Sequence, residues 1–200
     1  MPPWIEPREH EPLAVYARRM AEGTSTALED ADAPLFVGGV SLGGMIALEA
    51  ARHLRPRAVF LIASCRSWRS VPAVYLPLAR AVRFVPRGAM NVLARLSPLA
   101  APFFGPLGSA HRRKLAAVLR DTPPAFLRWA CPALAEWSAP QDLGVTVYHI
   151  HGSCDRILPR RLADPPPDRV VPGAGHLLNL THAPEVNAFL RMKMSVHNGA

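Results

Sequence analysis

The chain has 200 residues, half of them hydrophobic and 19% charged, which fits one soluble globular domain with a real core. Its formal net charge is +8, yet the cations are almost all arginines spread along the chain. They cluster only briefly, at Arg112-Arg113-Lys114 and Arg160-Arg161, and no aromatics interleave with them, which argues against a nucleic-acid partner.

The start, Met-Pro-Pro-Trp-Ile-Glu-Pro, lacks the basic segment and apolar run of a secretory signal. Glu11 to Leu28 carries Leu13, Ala14, Tyr16, Ala17, Met20 and Ala21 at helical spacing and is expected to form an amphipathic helix. Asp30 to Pro34 reads as a loop. An apolar run, Leu35 to Val37, then leads through Gly39-Val40-Ser41-Leu42-Gly43 into a helical pattern from Met45 to Leu54.

A strand, a G-x-S-x-G turn and a helix in that order form the nucleophile elbow of a serine hydrolase. The turn strains the serine backbone, and side chains at Gly39 and Gly43 are expected to collide with the neighbouring strand or helix. Ser41 then stands proud of the sheet at the positive end of the following helix. The N–H of Leu42 is one expected oxyanion donor.

Arg57 to Ala63 and Val145 to His151 are apolar, β-rich runs that read as buried parallel strands, and Asp168 to Pro172 reads as a short fourth. Between the second and third lies an insertion, residues 66–140, too long to be structureless in a compact domain. It is rich in proline and apolar residues, but Arg80, Arg83, Arg87 and Arg95 break the stretch from Val71 to Leu107, so no run spans a membrane. Helices are expected over Ala110 to Asp121 and Ala125 to Trp137, the latter with Phe126, Leu127, Ala130, Leu134 and Trp137 along one side. The insertion therefore reads as a helical cap on a core made of residues 1–65 and 141–200, and the cap as a whole as the wall of an acyl pocket. Pro184 to Met194 reads as a final helix with Val186, Phe189 and Leu190 inward, and Ser195 to Ala200 as a frayed end. Strands alternating with helices give an α/β fold with a mostly parallel sheet.

A serine hydroxyl needs a base to take its proton, and the base needs a carboxylate to hold its tautomer. Asp155, just past the third strand, and His176, just past the fourth, follow Ser41 in the order such a site requires, and open α/β sheets build sites at the carboxyl ends of strands. His149 and His151 alternate on one strand face, but only Asp155 is near enough to be a third ligand, so no metal is expected. Cys65, Cys131 and Cys154 are too few and too scattered for a disulfide framework or zinc site, and a reducing cytoplasm is the expected setting. His53 is expected to be solvated, and Cys154 to be a packed small residue.

Three segments carry a family resemblance: Gly39-Val-Ser-Leu-Gly-Gly44, His151-Gly-Ser-Cys-Asp155-Arg-Ile-Leu-Pro159 and Gly175-His176. They resemble the elbow, acid loop and base loop of the α/β-hydrolase superfamily, and Phe126-Leu-Arg-Trp-Ala to Trp137 is similar to the last cap helix of small bacterial members. The resemblance implies cofactor-free cleavage of an ester, thioester or related acyl bond in a small-molecule substrate, with Ser41 as nucleophile, His176 as base then acid, and Asp155 as its orienter. Hydrolysis and acyl transfer are both open, since they differ only in the acceptor.

The front departs from the family pattern. Members carry more strands before the first helix, and a loop there supplies a second oxyanion N–H, but nothing before Glu11 matches them. Met1 to Ile5 resembles the stretch just after that region. The sequence thus looks N-terminally short, as from a truncated gene or a mis-called start. This leads to two expectations. The elbow strand becomes an open edge that invites a homodimer. The rival to an active hydrolase is an impaired α/β-hydrolase-like protein that binds or pairs.

Overall fold

The computed structural model describes residues 4–25, 34–86, 88–90, 92 and 97–198. Residues 26–28 of the first expected helix, most of the loop at 30–34, Arg87, Arg95 and the last two residues lie outside that set.

Four strands form one parallel sheet in the order β1 (Phe36–Val40), β2 (Ala58–Ile62), β3 (Thr146–Gly152), β4 (Arg169–Val171). The register runs Phe36 to Ala58, Ala58 to Thr146 and Ile150 to Arg169. β2 is central, and all five of its residues are buried. β1 pairs with β2 alone among the described residues, and none of its five residues is fully buried. The elbow strand therefore stands at the sheet edge.

Side chains alternate across the sheet and build two cores, as the two-residue period of a strand requires. Val59 and Leu61 point into the larger core, with Leu13, Tyr16 and Ala17 of α1 (Leu13–Ser25) and Met45 and Leu48 of α2 (Leu42–Leu54). Ala58, Phe60 and Ile62 point into the other, with Leu178, Val186 and Phe189. α2 buries Gly44 to Ala51 without a break, because β1 and β2 cover one side and α1 the other. Each large apolar side chain buried in this way contributes about 1.5–3 kcal/mol. The helix ends at Arg55, whose left-handed backbone (φ 47°) sends its N–H back to the Ala51 carbonyl at 3.0 Å.

Between β2 and β3 the described residues form helices and turns: α3 (Leu76–Ala81), α4 (Ser109–Asp121), α5 (Pro124–Glu136), three short 3-10 turns and a longer 3-10 helix, Ser97–Phe104. The two ends of this segment are stitched together. Trp68 N–H donates to Trp137 O at 2.9 Å and Ala139 N–H to Arg66 O at 2.7 Å. α5 packs into the larger core through Trp129, Ala130 and Ala135, and Trp137 comes just beyond its end. The apolar side expected for this helix leaves out Trp129 and Ala135. Trp129 is buried against α1, where its ring lies tilted on Tyr16 with centroids 4.2 Å apart and its Nε1–H donates to Glu11 O at 2.7 Å, while Ala135 lies near α3, where its carbonyl accepts from Arg80 Nη2 at 3.1 Å. Phe126, Leu127 and Leu134 are only partly covered.

After β4 come α6 (Leu178–Thr181) and α7 (Ala183–Asn198). The end expected to fray is helical through Asn198. Tyr148 and Phe36 hold His197 edge-on, and Tyr148 Oη lies 3.2 Å from its Nε2. No helix among the described residues is long and apolar enough to cross a membrane.

Candidate active site

Ser41 joins β1 to α2 with φ 53° and ψ −122°, a conformation that an L-residue adopts only under constraint, at about 1–3 kcal/mol. Three hydrogen bonds supply the constraint. Ser41 N–H donates to Ile62 O at 3.0 Å. Its carbonyl accepts from Gly44 N–H at 2.9 Å and from the Ser64 hydroxyl at 2.7 Å.

The turn depends on glycine at Gly39, as expected, and at Gly44 in place of Gly43. A Cβ on Gly39 would lie 2.3 Å from the Gly43 carbonyl carbon, and one on Gly44 would lie 2.5 Å from Ser64 Oγ. A Cβ on Gly43 meets nothing within 4 Å. The expectation for Gly43 is therefore corrected. Its backbone is the surface Gly39 must clear, while its own side-chain direction is open. Leu42 opens α2, so its N–H is a first-turn donor without a partner inside the helix.

Asp155 and His176 converge on this serine from loops after β3 and β4. His176 Nε2 lies 2.9 Å from Ser41 Oγ, and His176 Nδ1 lies 2.8 Å from Asp155 Oδ2. The two partners assign the imidazole its tautomer: Nδ1 donates to the carboxylate, which leaves Nε2 as the acceptor for the serine O–H. Asp155 and His176 are buried, and Ser41 is part-exposed.

Burial works to raise the Asp155 pKa, but its donors outweigh burial. The rings of His151 and His176 and the backbone N–H of Leu158 together hold the carboxyl down to about 2. Ile157 and Leu158 N–H both reach Oδ1 at 2.9 Å.

Several positioning contacts carry no signal in the sequence. His176 N–H donates to Phe104 O at 2.7 Å, and the Phe104 ring meets the imidazole edge-on at 5.7 Å. Phe104 closes the 3-10 helix Ser97–Phe104, so the segment between β2 and β3 touches the His176 loop directly. The Ser64 contact was equally hidden; the one clue is that Ser64 follows β2 at the end of the sheet where Ser41 follows β1.

Other residues singled out in the sequence lie elsewhere. His149 and His151 face each other rather than open space, with Nε2 of the first 3.0 Å from Nδ1 of the second. His53 is exposed at the end of α2, and Cys154 is half-buried. Cys65, Cys131 and Cys154 are free thiols, and burial pushes Cys65 up to about 12. A cavity of about 690 Å³ lies between residues 6–14 and α5 and includes none of Ser41, Asp155 and His176.

Comparison with known proteins is consistent with this architecture. The model of the alpha/beta hydrolase family matches residues 5–189. No curated protein sequence matches the chain. Among solved structures it resembles an esterase from Thermogutta terrifontis, with TM-score 0.70 and 20% identity over 92% of this chain and 72% of that one. It also resembles an esterase from Exiguobacterium antarcticum (TM-score 0.66, 15% identity, 92% and 74%). A bromoperoxidase from Bacillus anthracis is similar as well (TM-score 0.62, 15% identity, 96% and 76%). Identities this low speak to the fold alone.

Proposed function

We propose that this chain, which belongs to the alpha/beta hydrolase family, is a serine hydrolase that cleaves a small carboxylic ester or related acyl bond. One observation carries the reading: the unbroken line from Ser41 Oγ to His176 Nε2 at 2.9 Å and from His176 Nδ1 to Asp155 Oδ2 at 2.8 Å.

In this reading His176 Nε2 takes the Ser41 proton as Oγ bonds to the substrate carbonyl carbon. The carbonyl π electrons move to oxygen, and the Leu42 N–H at the start of α2 stabilises that oxyanion. The oxyanion collapses, the ester C–O bond breaks, and the leaving alkoxide takes the proton from His176. Water then attacks the acyl-enzyme, again losing a proton to His176. The carboxylic acid departs as Ser41 recovers its proton. Asp155 stays ionised and holds Nδ1–H, so that Nε2 faces the serine. Residues 66–140 act as the cap over this site, and the Phe104 contact is where that cap meets the base. The three free thiols fit a reducing compartment, the cytoplasm.

The rival reading is a catalytically impaired member that binds or pairs. The place of β1 at the edge of the described sheet favours it, since such an edge can take up a partner strand. Pairing of two β1 edges in a homodimer belongs to the same reading, and sedimentation velocity tests it: a monomer at all concentrations removes the dimer.

Hydrolysis of short-chain p-nitrophenyl esters by wild type and Ser41→Ala, with fluorophosphonate labelling of both, tests the function. Turnover and labelling that vanish together in the variant support the hydrolase. Labelling without turnover supports an activated serine that lacks oxyanion support. The absence of both in folded protein leaves the binding reading.

A further inference from the structure

The carboxylate that orients His176 serves a second imidazole. His151 Nε2 lies 3.2 Å from Asp155 Oδ2, the same oxygen that His176 Nδ1 reaches at 2.8 Å, and 2.7 Å from the carbonyl of Leu158. Both neighbours of that nitrogen are acceptors without hydrogens, so it must carry a proton and donate it. This holds whichever ring carries the single proton between His149 Nε2 and His151 Nδ1.

Asp155 is then saturated. Oδ1 takes two backbone N–H groups, and Oδ2 takes two imidazole N–H groups. His151 is 1% exposed and His149 3% exposed. Both lie on the β3 face that looks toward the larger core, and Asp168 Oδ2 accepts the backbone N–H of His149 at 2.7 Å. Two buried imidazoles at successive positions on one strand face are costly to hold without a use, since apolar residues would fill the space.

We propose that His151 is a positioning residue for the hydrolytic site, sharing Asp155 Oδ2 with the base and so setting the pH at which His176 becomes able to activate Ser41. The inference rests on the hydrolase reading for its role in catalysis, but the shared oxygen can be tested without turnover.

The sign comes from competition. Each donor on Oδ2 withdraws charge from it, so a carboxylate oxygen that also accepts from His151 holds a proton on His176 less strongly. Removing the His151 donor makes the carboxylate a stronger partner for the His176 cation. The charged form is favoured, and the neutral base appears only at higher pH. The other ionisable groups around the pair are His149 beside it on β3, Arg66 after β2, and Asp168 at the start of β4. Burial, with His151 and Arg66 nearby, pushes His149 down to about 3, against the pull of the Ser64 backbone and Asp155, so His149 is neutral wherever the enzyme works. Its role is to fix the His151 ring by the Nε2–Nδ1 contact.

The experiment is an NMR titration of the histidine side chains in full-length wild type, His151→Phe and His151→Gln. Phe keeps the ring volume and loses the donor; the Gln amide reaches about as far as Nε2 and keeps it. Long-range nitrogen–proton correlation in wild type is expected to show a proton on His151 Nε2, facing Leu158 O and Asp155 Oδ2. In His151→Phe the His176 midpoint is expected to rise by roughly 0.5–1 pH unit, and His151→Gln to return most of that shift. The acid limb of kcat/KM for p-nitrophenyl acetate should move by the same amount. An unprotonated Nε2 in wild type overturns the proposal even if His151→Phe fails to fold. So does a His176 midpoint that stays put or falls in folded His151→Phe. Shifts as expected in a protein without Ser41-dependent turnover would leave the shared oxygen standing and defeat the hydrolase reading instead.

Discussion

The main-chain N–H of His176 donates to the carbonyl oxygen of Phe104 at 2.7 Å, so a residue between β2 and β3 fixes the loop after β4 that carries His176. The crossing is close enough to require glycine. A Cβ on Gly175 would sit 2.2 Å from Phe104 O, and one on Gly105, where φ is +90°, would sit 2.7 Å from Cys154 O. Gly175→Ala is therefore expected to displace His176 and lower kcat/KM about a hundredfold, the usual penalty for a catalytic group about 1 Å out of place. Kinetics beside a circular-dichroism check of folding measure it. Unchanged kinetics in folded protein would show that this crossing does not hold the base.

Ser41→Ala is expected to lower ester turnover on the order of 10⁴-fold or more, because base and carboxylate have no role without the nucleophile. Its melting temperature should stay near wild type, since the constraints on the turn run through the Ser41 backbone and the Ser64 hydroxyl. A variant that keeps its turnover would remove Ser41 from the mechanism.

The elbow glycines should separate cleanly by stability. Gly39→Ala drives a methyl into the Gly43 backbone, which cannot rotate away, and should destabilise the fold by about 3 kcal/mol or more. Gly43→Ala points into open space inside the first turn of α2, where alanine is the better helix former, and should stabilise by up to about 1 kcal/mol. Urea unfolding of both variants decides it. Equal losses would mean that the turn packs differently.

Acid should weaken the fold through His149. Its folded pKa is depressed to about 3 from an ordinary value of 6.5, so between those limits the unfolded chain binds the extra proton. Stability is then full above about pH 6.5 and falls on acidification by up to about 1.4 kcal/mol per pH unit in mid-window. Asp155, held at about 2 against 3.8, adds its own loss only below pH 4. His149→Phe, which cannot titrate, should flatten the slope between pH 6 and 4 in urea melts. An equally steep variant would place the acid sensitivity elsewhere.

Trp137 Nε1–H donates to Glu49 Oε1 at 2.7 Å, and Glu49 is a carboxylate only 4% exposed on α2. Its other close partner, Arg52 at 3.7 Å, is half-exposed. Trp137→Phe takes away the buried donor and leaves the carboxylate underpartnered, so a loss of about 1–3 kcal/mol is expected. Glu49→Gln combined with Trp137→Phe should lose less than the two single changes added together. Additive losses would mean that the pair is not coupled.

By itself the sequence determined the features set by near neighbours. Apolar runs gave the parallel strands, and the 3.6-residue pattern gave α1, α4, α5 and α7 to within a few residues. The strand, G-x-S-x-G and helix succession marked Ser41, and the order of loops after strands marked Asp155 and His176. Each of these depends on periodicity, turn sterics or chain order, which are written locally. Only the tertiary structure decided which glycines the elbow needs, that Ser64 holds the Ser41 carbonyl, that Phe104 holds His176, and that His151 shares the Asp155 oxygen. Those contacts join residues brought together by sheet register and by the packing of a long segment against a distant loop. His176 and Phe104 are far apart in the chain, and nothing near either residue encodes the other. The same holds for Trp129, whose burial was settled by its meeting with Tyr16 of α1, and for Ala135, whose neighbour is Arg80 of α3.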